Sequence, residues 1–309
     1  MKPTPVRTSL KRRHRIRKAI LQWYQTWGRE LPWRKTRNPY RILISEILLQ
    51  QTQVHRVLQK YPQFLKKFPD FSALARGRRR DVILAWRGMG YNSRAVRLHL
   101  LARQVVEKHH GKLPSSYKEL IQLPGVGKYT ANALLSSGWR KNAAVVDINV
   151  RRVFSRILFS MKTTADLIPE ETTWNIAEDL VPRGNAYTWN QALMDLGATI
   201  CTKSAPKCDS CPVGAFCFSR KHMRSIRVHL SRSEPSYKGI PNRIHRGKIV
   251  EELRRLNGRR AIRSETLGKR VLTGYTSRNE KWLKGILAGL EKEGLVKSNG
   301  KNGERISLA

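Results

Sequence analysis

Acid is what this chain lacks most. Its 309 residues carry 22 Asp and Glu against 61 Lys and Arg, a formal charge of +39 and a pI near 11.1. An excess of that size is too large for a typical metabolic enzyme and fits a polyanion partner, most simply nucleic acid. Long apolar runs and lipidation signals are missing as well, so the rival reading, a membrane-surface protein, has no support. The N-terminus is basic through Lys18, but the stretch after it is too short and too polar for a signal peptide; no acid precedes Glu30, a feature shared with transit peptides. Cysteine is rare. The four present all fall between 201 and 217, which suggests a ligand set in a reducing compartment rather than scattered disulfides.

What is present is mostly helical periodicity, over a length that favours two domains and allows a sizeable core. Residues 1–18 read as a solvated basic arm and 19–27 as a helix with an aromatic edge at Trp23, Tyr24 and Trp27. The loop Leu31-Pro32-Trp33-Arg34 precedes a helix start at Asn38-Pro39-Tyr40. Further helices are expected over 64–76, 81–87, 95–109, 148–158, 172–180 and 189–199.

The helix expected over 42–49 is apolar except for Ser45 and Glu46. A carboxyl in such a run either edges onto water or is held in a low dielectric, where desolvation favours its neutral form and lets it serve as an acid. Gln50 to Gln53 follow as a polar cluster suited to base edges, or as a plain helix end. Gly88-Met89-Gly90-Tyr91 is a tight loop whose aromatic, near Arg94, either wedges into nucleic acid or simply packs.

Between a short helix at 117–123 and another at 131–137, Pro124, Gly125 and Gly127 break the pattern into a helix, a tight hairpin and a helix. Two glycines bare the backbone, the second helix starts with free N–H groups, and Lys128 adds charge, so a phosphate could sit there. The plain alternative is an interhelical turn. Asp147 ends the apolar run 143–146 and lies at a helix start. It is a cap, or a fixed carboxylate facing a cation that develops in a reaction.

Cys201, Cys208, Cys211 and Cys217 form a C-x6-C-x2-C-x5-C set interleaved with Pro206, Pro212 and Gly214. The spacing permits tetrahedral zinc or an iron–sulfur cubane, with paired disulfides as the third choice. The basic loop 202–207 would touch phosphate. From 219 to 246 the chain is basic and poor in large apolar residues. Ile249, Val250, Leu253 and Leu256 then make one helical stripe, and Trp282, Leu283, Ile286, Leu287 and Leu290 make another. A weaker helix at 265–272 lies between them, and a hairpin at 295–308 completes a winged-helix pattern.

Taken together, Leu31-Pro32-Trp33-Arg34, Ser45-Glu46-Ile47-Leu48-Leu49-Gln50-Gln51-Thr52-Gln53-Val54, Gly88-Met89-Gly90-Tyr91, Leu123-Pro124-Gly125-Val126-Gly127-Lys128-Tyr129-Thr130, Val146-Asp147-Ile148-Asn149-Val150 and the four cysteines resemble the MutY-type adenine DNA glycosylases of the helix-hairpin-helix superfamily, over about 15–220. That resemblance implies a mainly α chain with a two-lobed helical core at 19–220. A six-helix lobe would span about 36–138. A cluster lobe, from 19–35 and 139–220, would hold a [4Fe–4S] cluster on Cys201, Cys208, Cys211 and Cys217. A basic arm at 1–18, a basic linker at 221–240 and the winged-helix-like domain at 241–309 complete the expected layout. The partner it implies is double-stranded DNA with a mismatch, bound by a monomer with no membrane contact, in the cytoplasm with the nucleoid.

By the same likeness Glu46 protonates a flipped-out adenine and helps activate water, and Asp147 stabilises the sugar cation beside Tyr129 and Asn149. Trp33, Arg34, Val54 and Gln191 would line the base pocket. Gln51 and Tyr91 would enter the stack, and Gly125, Val126, Gly127 and Lys128 would hold the backbone. The endonuclease III type keeps a lysine nucleophile where Tyr129 stands and lacks the glutamate at Glu46, so no Schiff base and little strand cleavage are expected. A thymine-excising branch shares the Glu, Tyr and Asp positions but differs at Val54 and Gln191. A degenerate, non-catalytic DNA binder is a further alternative. One departure stands out: the Nudix-like C-terminal domain usual in the family, which reads 8-oxoguanine, is replaced here by the winged-helix pattern.

Overall fold

Ile16 and Ile20, four residues apart, give the basic N-terminal segment one apolar stripe, and both are fully buried. Helix α1 accordingly runs over Leu10–Trp27, with Ser9 accepting from Arg12 N as its cap. The arm expected over 1–18 is therefore helical from Leu10. Its arginines are also occupied: Arg12 donates to Phe216 O, and Arg17 donates to Leu180 O and Asp179 O at 2.8 Å each.

The structure, a computed structural model, describes residues 9–161, 163, 166–225, 234–256, 261–300 and 304–309. The helices that follow are α2 (Pro39–Leu49), α3 (Val54–Lys67), α4 (Phe71–Arg76), α5 (Arg79–Ala85), α6 (Ser93–His109), α7 (Tyr117–Leu120), α8 (Lys128–Gly138), α9 (Ile148–Leu158), α10 (Glu170–Leu180) and α11 (Ala186–Asp195). The helix expected over 64–76 is two helices, because Asp70 caps a new start by accepting from Ala73 N at 2.7 Å. After α11 the chain loosens into a π turn, Leu196–Ile200, and reaches Cys201.

The linker expected over 221–240 is only partly irregular; residues 226–233 lie outside the described set. Strands β1 (Ser236–Tyr237) and β2 (Ile240–Pro241) form a small antiparallel hairpin that leads into α12 (Asn242–Arg255). Tyr237 stacks on Trp282 with ring centroids 4.4 Å apart, which anchors this hairpin. Then come β3 (Ile262–Arg263), α13 (Ser264–Val271), α14 (Glu280–Lys292), β4 (Val296–Asn299) and β5 (Arg305–Leu308). The sheet order β3-β5-β4, all antiparallel, gives this segment the winged-helix arrangement.

Two compact units divide the chain at boundaries other than the expected ones. One comprises residues 1–43, 115–121 and 126–231. The other comprises 44–114, 122–125 and 232–309, so the C-terminal segment folds with α3–α6 rather than apart from them. The core of the first is built on Phe154, Trp189 and Phe159, each almost wholly buried. In the second, Ile83 of α5 and Val96 of α6 share a core with Ile249, Leu253, Leu283 and Leu287.

Candidate active site and cysteine loop

In the first unit Asp147 caps α9. Its Oδ1 accepts from Val150 N and its Oδ2 from Asn149 Nδ2, both at 2.7 Å. Both carboxylate oxygens are thus anchored, which gives Asp147 the capping role expected of it and holds its carboxylate in place. Asn149 Oδ1 in turn accepts from Arg152 Nη2 at 2.8 Å. Buried Arg152 also donates to Gly197 O at 2.6 Å and to Cys201 O at 2.7 Å. A continuous set of hydrogen bonds therefore runs from the carboxylate to the start of the cysteine loop.

Tyr129 sits in the first turn of α8, next to Lys128. The ammonium of Lys128 lies 4.1 Å from the Trp174 ring and 3.8 Å from Glu178 Oε1, half-exposed. Gly125 has φ +82, which a side chain would strain, and Gly127 precedes α8 in an extended conformation. Among Gly125 to Lys128, only Val126 is buried. Asn190 of α11 donates to Ser136 Oγ of α8 at 2.9 Å and to Ala143 O at 2.8 Å, and accepts from Val145 N. This buried amide fixes the segment that leads to Asp147. Its neighbour Gln191 is 8% exposed.

Trp33 and Arg34 occupy a 3-10 turn, Pro32–Arg34, with Trp33 buried. Arg34 is already engaged. It forks onto Asp195 with two 2.8 Å hydrogen bonds, and Arg29 adds its N and Nε at 2.8 Å each. Burial alone would push the Asp195 carboxyl up, but the hydrogen bonds and charge of Arg34, with those of Arg29, hold it below the usual range. Arg34 thus secures the turn that presents Trp33 rather than offering a free fork.

In the second unit Glu46 lies on α2, 8% exposed among Ile44, Ile47 and Leu48, so the water-facing alternative does not hold. Buried Arg94 closes the end of that helix. It donates to Ile47 O at 2.7 Å, Leu48 O at 3.1 Å, Thr52 Oγ1 at 3.0 Å, Met89 O at 2.9 Å and Gly90 O at 3.2 Å. Burial pushes its guanidinium down to about 10. One side chain thereby ties together the two loops that carry Gln51 and Tyr91. Both residues have left-handed backbone, φ +53 and +40, and Tyr91 is 52% exposed. Val54 opens α3 beside them, half-buried.

Sequence reading missed the positioning roles of Asp195, Arg152, Asn190 and Arg94. Only Arg94 left a trace, as a charge near the glycine loop.

The four cysteines, none in a disulfide, line one recess with Arg156, Ile200, Pro206 and Met223. Arg156 Nη1 lies 3.5 Å from Cys201 Sγ and donates to Thr202 O at 2.7 Å. Burial first, and then neighbouring thiolates, pushes Cys211 up to about 11 and Cys217 up to about 12. Among the described residues, no three His, Cys, Asp or Glu side chains converge closely enough to hold a single metal ion.

Residues 44–178 match the HhH-GPD superfamily of base excision DNA repair proteins. An adenine DNA glycosylase of Mycobacterium tuberculosis is 37% identical over 245 residues, covering 78% of this chain and 79% of its own. This chain belongs to the MutY-type adenine DNA glycosylase family. A second such glycosylase, from Buchnera aphidicola, is 38% identical over 70% of this chain, which spans only 61% of that relative's length. Among solved structures, a thermostable thymine-DNA glycosylase aligns with TM-score 0.63 at 34% identity, covering 68% of this chain and 97% of its own.

Proposed function

We propose that this family member is a monofunctional DNA glycosylase that hydrolyses the N-glycosidic bond of adenine mispaired with 8-oxoguanine or guanine. Burial of Glu46 within an apolar helix carries the reading, because a low-dielectric carboxyl can hold the proton a leaving base needs. In the proposed reaction Glu46 gives that proton to the adenine as the C1′–N9 bond breaks. Its carboxylate then takes a proton from the water that adds at C1′, leaving free adenine and an intact strand with an abasic site. Asp147, held by Val150 N and Asn149, faces the oxocarbenium charge without room to swing. Tyr129 offers no amine, so no Schiff base forms and the strand is left uncut.

Gln191 supplies a donor and an acceptor for an adenine edge, with Trp33 and Val54 as apolar walls. The hairpin from Gly125 to Lys128 holds the backbone. The partner is mismatched duplex DNA, bound by a monomer of the nucleoid.

The recess lined by Cys201, Cys208, Cys211 and Cys217 suits a [4Fe–4S] cluster in its donor set: four thiols face one recess without converging on a single ion, and together they ionise only against a cationic group. When bound, the cluster supplies cross-links that fix the 201–217 loop. Purified under anaerobic conditions, the protein should show broad thiolate-to-iron absorption in the visible and four irons per chain. A colourless, zinc-bearing protein removes the cluster from this reading.

The activity is tested with duplexes holding A:8-oxoguanine, A:G and T:G, each assayed with and without alkali. Strand breaks after alkali from the two adenine duplexes are expected. The likeness to a thymine-DNA glycosylase favours a second reading, excision of thymine from T:G, and product from T:G alone would establish it. Tight binding with no base release from any duplex would leave a non-catalytic binder.

A further inference from the structure

A groove of about 540 Å³ runs between the two Arg94-tied loops and the C-terminal segment, inside a single compact unit. Its near side carries Gln51, Arg56 and Tyr91; its far side carries Arg243 and Arg246 of α12. Nothing in the sequence pattern brings these together, since α12 begins about 150 residues after Tyr91.

The far wall is firmly seated. Arg254, also on α12 and 3% exposed, donates to Ile83 O at 2.9 and 3.1 Å and to Asn92 Oδ1 at 2.9 Å, the residue after Tyr91. Glu251 pairs with Arg87 at 2.9 Å, and Gly294 lies with its absent Cβ 3.1 Å from Arg79 and 3.3 Å from Val96. These contacts, with the shared core of Ile83 and Val96, set α12 at a fixed distance from the Tyr91 turn.

The charge of the groove is positive. Arg56 is exposed and forms no ion pair among the described residues. Arg243 is held by Glu234 at 2.8 Å and Arg246 by Glu293 at 2.7 Å, and all four side chains are at least a quarter exposed. Exposed pairs of this kind are weak, and a phosphate that meets two guanidinium forks displaces a carboxylate from them. Of the groove-lining residues only Glu293 is acidic.

We propose that α12 of the C-terminal segment is part of the DNA-binding surface, with Arg243 and Arg246 gripping phosphates of the strand that passes Gln51 and Tyr91, opposite Arg56. The assignment rests on the glycosylase reading for the placement of Gln51 and Tyr91 against DNA. It gives the winged-helix segment a direct role in holding substrate, through one helix face rather than through the hairpin that such folds commonly lay on DNA.

The test uses the full chain and a short duplex with a tetrahydrofuran abasic analogue, which cannot be excised. Its affinity is read by fluorescence anisotropy between about 50 and about 200 mM salt. Arg243→Gln with Arg246→Gln should weaken binding about tenfold or more and flatten the log–log salt slope by about 1.8, two phosphate contacts' worth. Lys248→Gln with Lys281→Gln removes the same charge from the same segment outside the groove and should change the slope far less. Glu293→Gln should tighten binding, an outcome that misfolding cannot produce. Equal slopes in the two double variants, weaker binding by Glu293→Gln, or no binding by the parent chain overturns the proposal. Failure to excise adenine would sink the glycosylase reading while leaving these binding slopes to decide the matter.

Discussion

A carboxylate hydrogen-bonded within its own helix cap cannot follow a moving substrate, so in the proposed reaction Asp147 acts by standing still. In the proposed reaction Glu46 has the opposite task, to give up and regain a proton. Glu46→Gln should therefore cut adenine excision by about 10² to 10⁴ in single-turnover assays while leaving affinity for the abasic-analogue duplex unchanged. An equal loss in both would place Glu46 in binding rather than in chemistry. Asp195 shows how a residue with no part in the proposed bond-breaking step can matter. Its carboxyl is held below the ordinary range, so it favours folding at pH above about 3.9 and loses that contribution as pH falls through its folded value. Stability should thus be flat in this respect from neutrality to about pH 5 and decline below it. Arg34→Ala leaves a buried carboxylate with Arg29 alone and should cost about 3 kcal/mol in urea unfolding. A cost near zero would show that Arg29 suffices. Asp147 was legible in sequence because a cap precedes an apolar period. Asp195 was not, because Arg34 stands 161 positions away.

Elements were easier to read than their joints. The stripes of α2, α6, α9 and α14 follow from helical spacing, and of the apolar residues expected around α12 and α14, Ile249, Val250, Leu253, Leu283, Ile286, Leu287 and Leu290 come out buried while Leu256 and Trp282 are half-buried. Basic composition hid the start of α1, since nine arginines, lysines and histidines up to Lys18 masked the single pair Ile16 and Ile20. The π turn after α11 left no sequence mark at all, because one extra residue per turn needs no special side chain. Gly197 inside it does leave a physical mark. A Cβ there would lie 2.7 Å from Asn149 Cβ and 3.2 Å from the Asn149 carbonyl, so the turn and the start of α9 touch backbone to backbone. Gly197→Ala should push the start of α9 away, carrying Asn149 and Asp147 with it, at about 1–3 kcal/mol of stability. Excision should slow more than DNA binding weakens. A variant with the parent's melting temperature and rate would mean that α9 yields freely.

At the scale of the whole molecule, charge was fully legible and the arrangement of segments was not. The +39 balance points at once to a polyanion. The C-terminal segment, by contrast, reads as an appended domain because its stripes are complete within 249–290. Sequence periodicity cannot reveal that Ile83 and Val96, on helices long finished by then, turn outward to meet those stripes. The shared core predicts how a shortened chain behaves. Removing 234–309 uncovers Ile83, 0% exposed, and Val96, 5% exposed, and strips Arg254 from Ile83 O and Asn92. Two apolar side chains newly facing water cost about 3 kcal/mol at the lower bound of full-burial values. Hydrogen exchange should consequently show α5 and the first turns of α6 losing protection in the shortened chain, along with the Tyr91 turn that Asn92 belongs to. An independent appendage would leave the protection of α5 unchanged, and that result would separate the winged-helix segment from the unit it folds with.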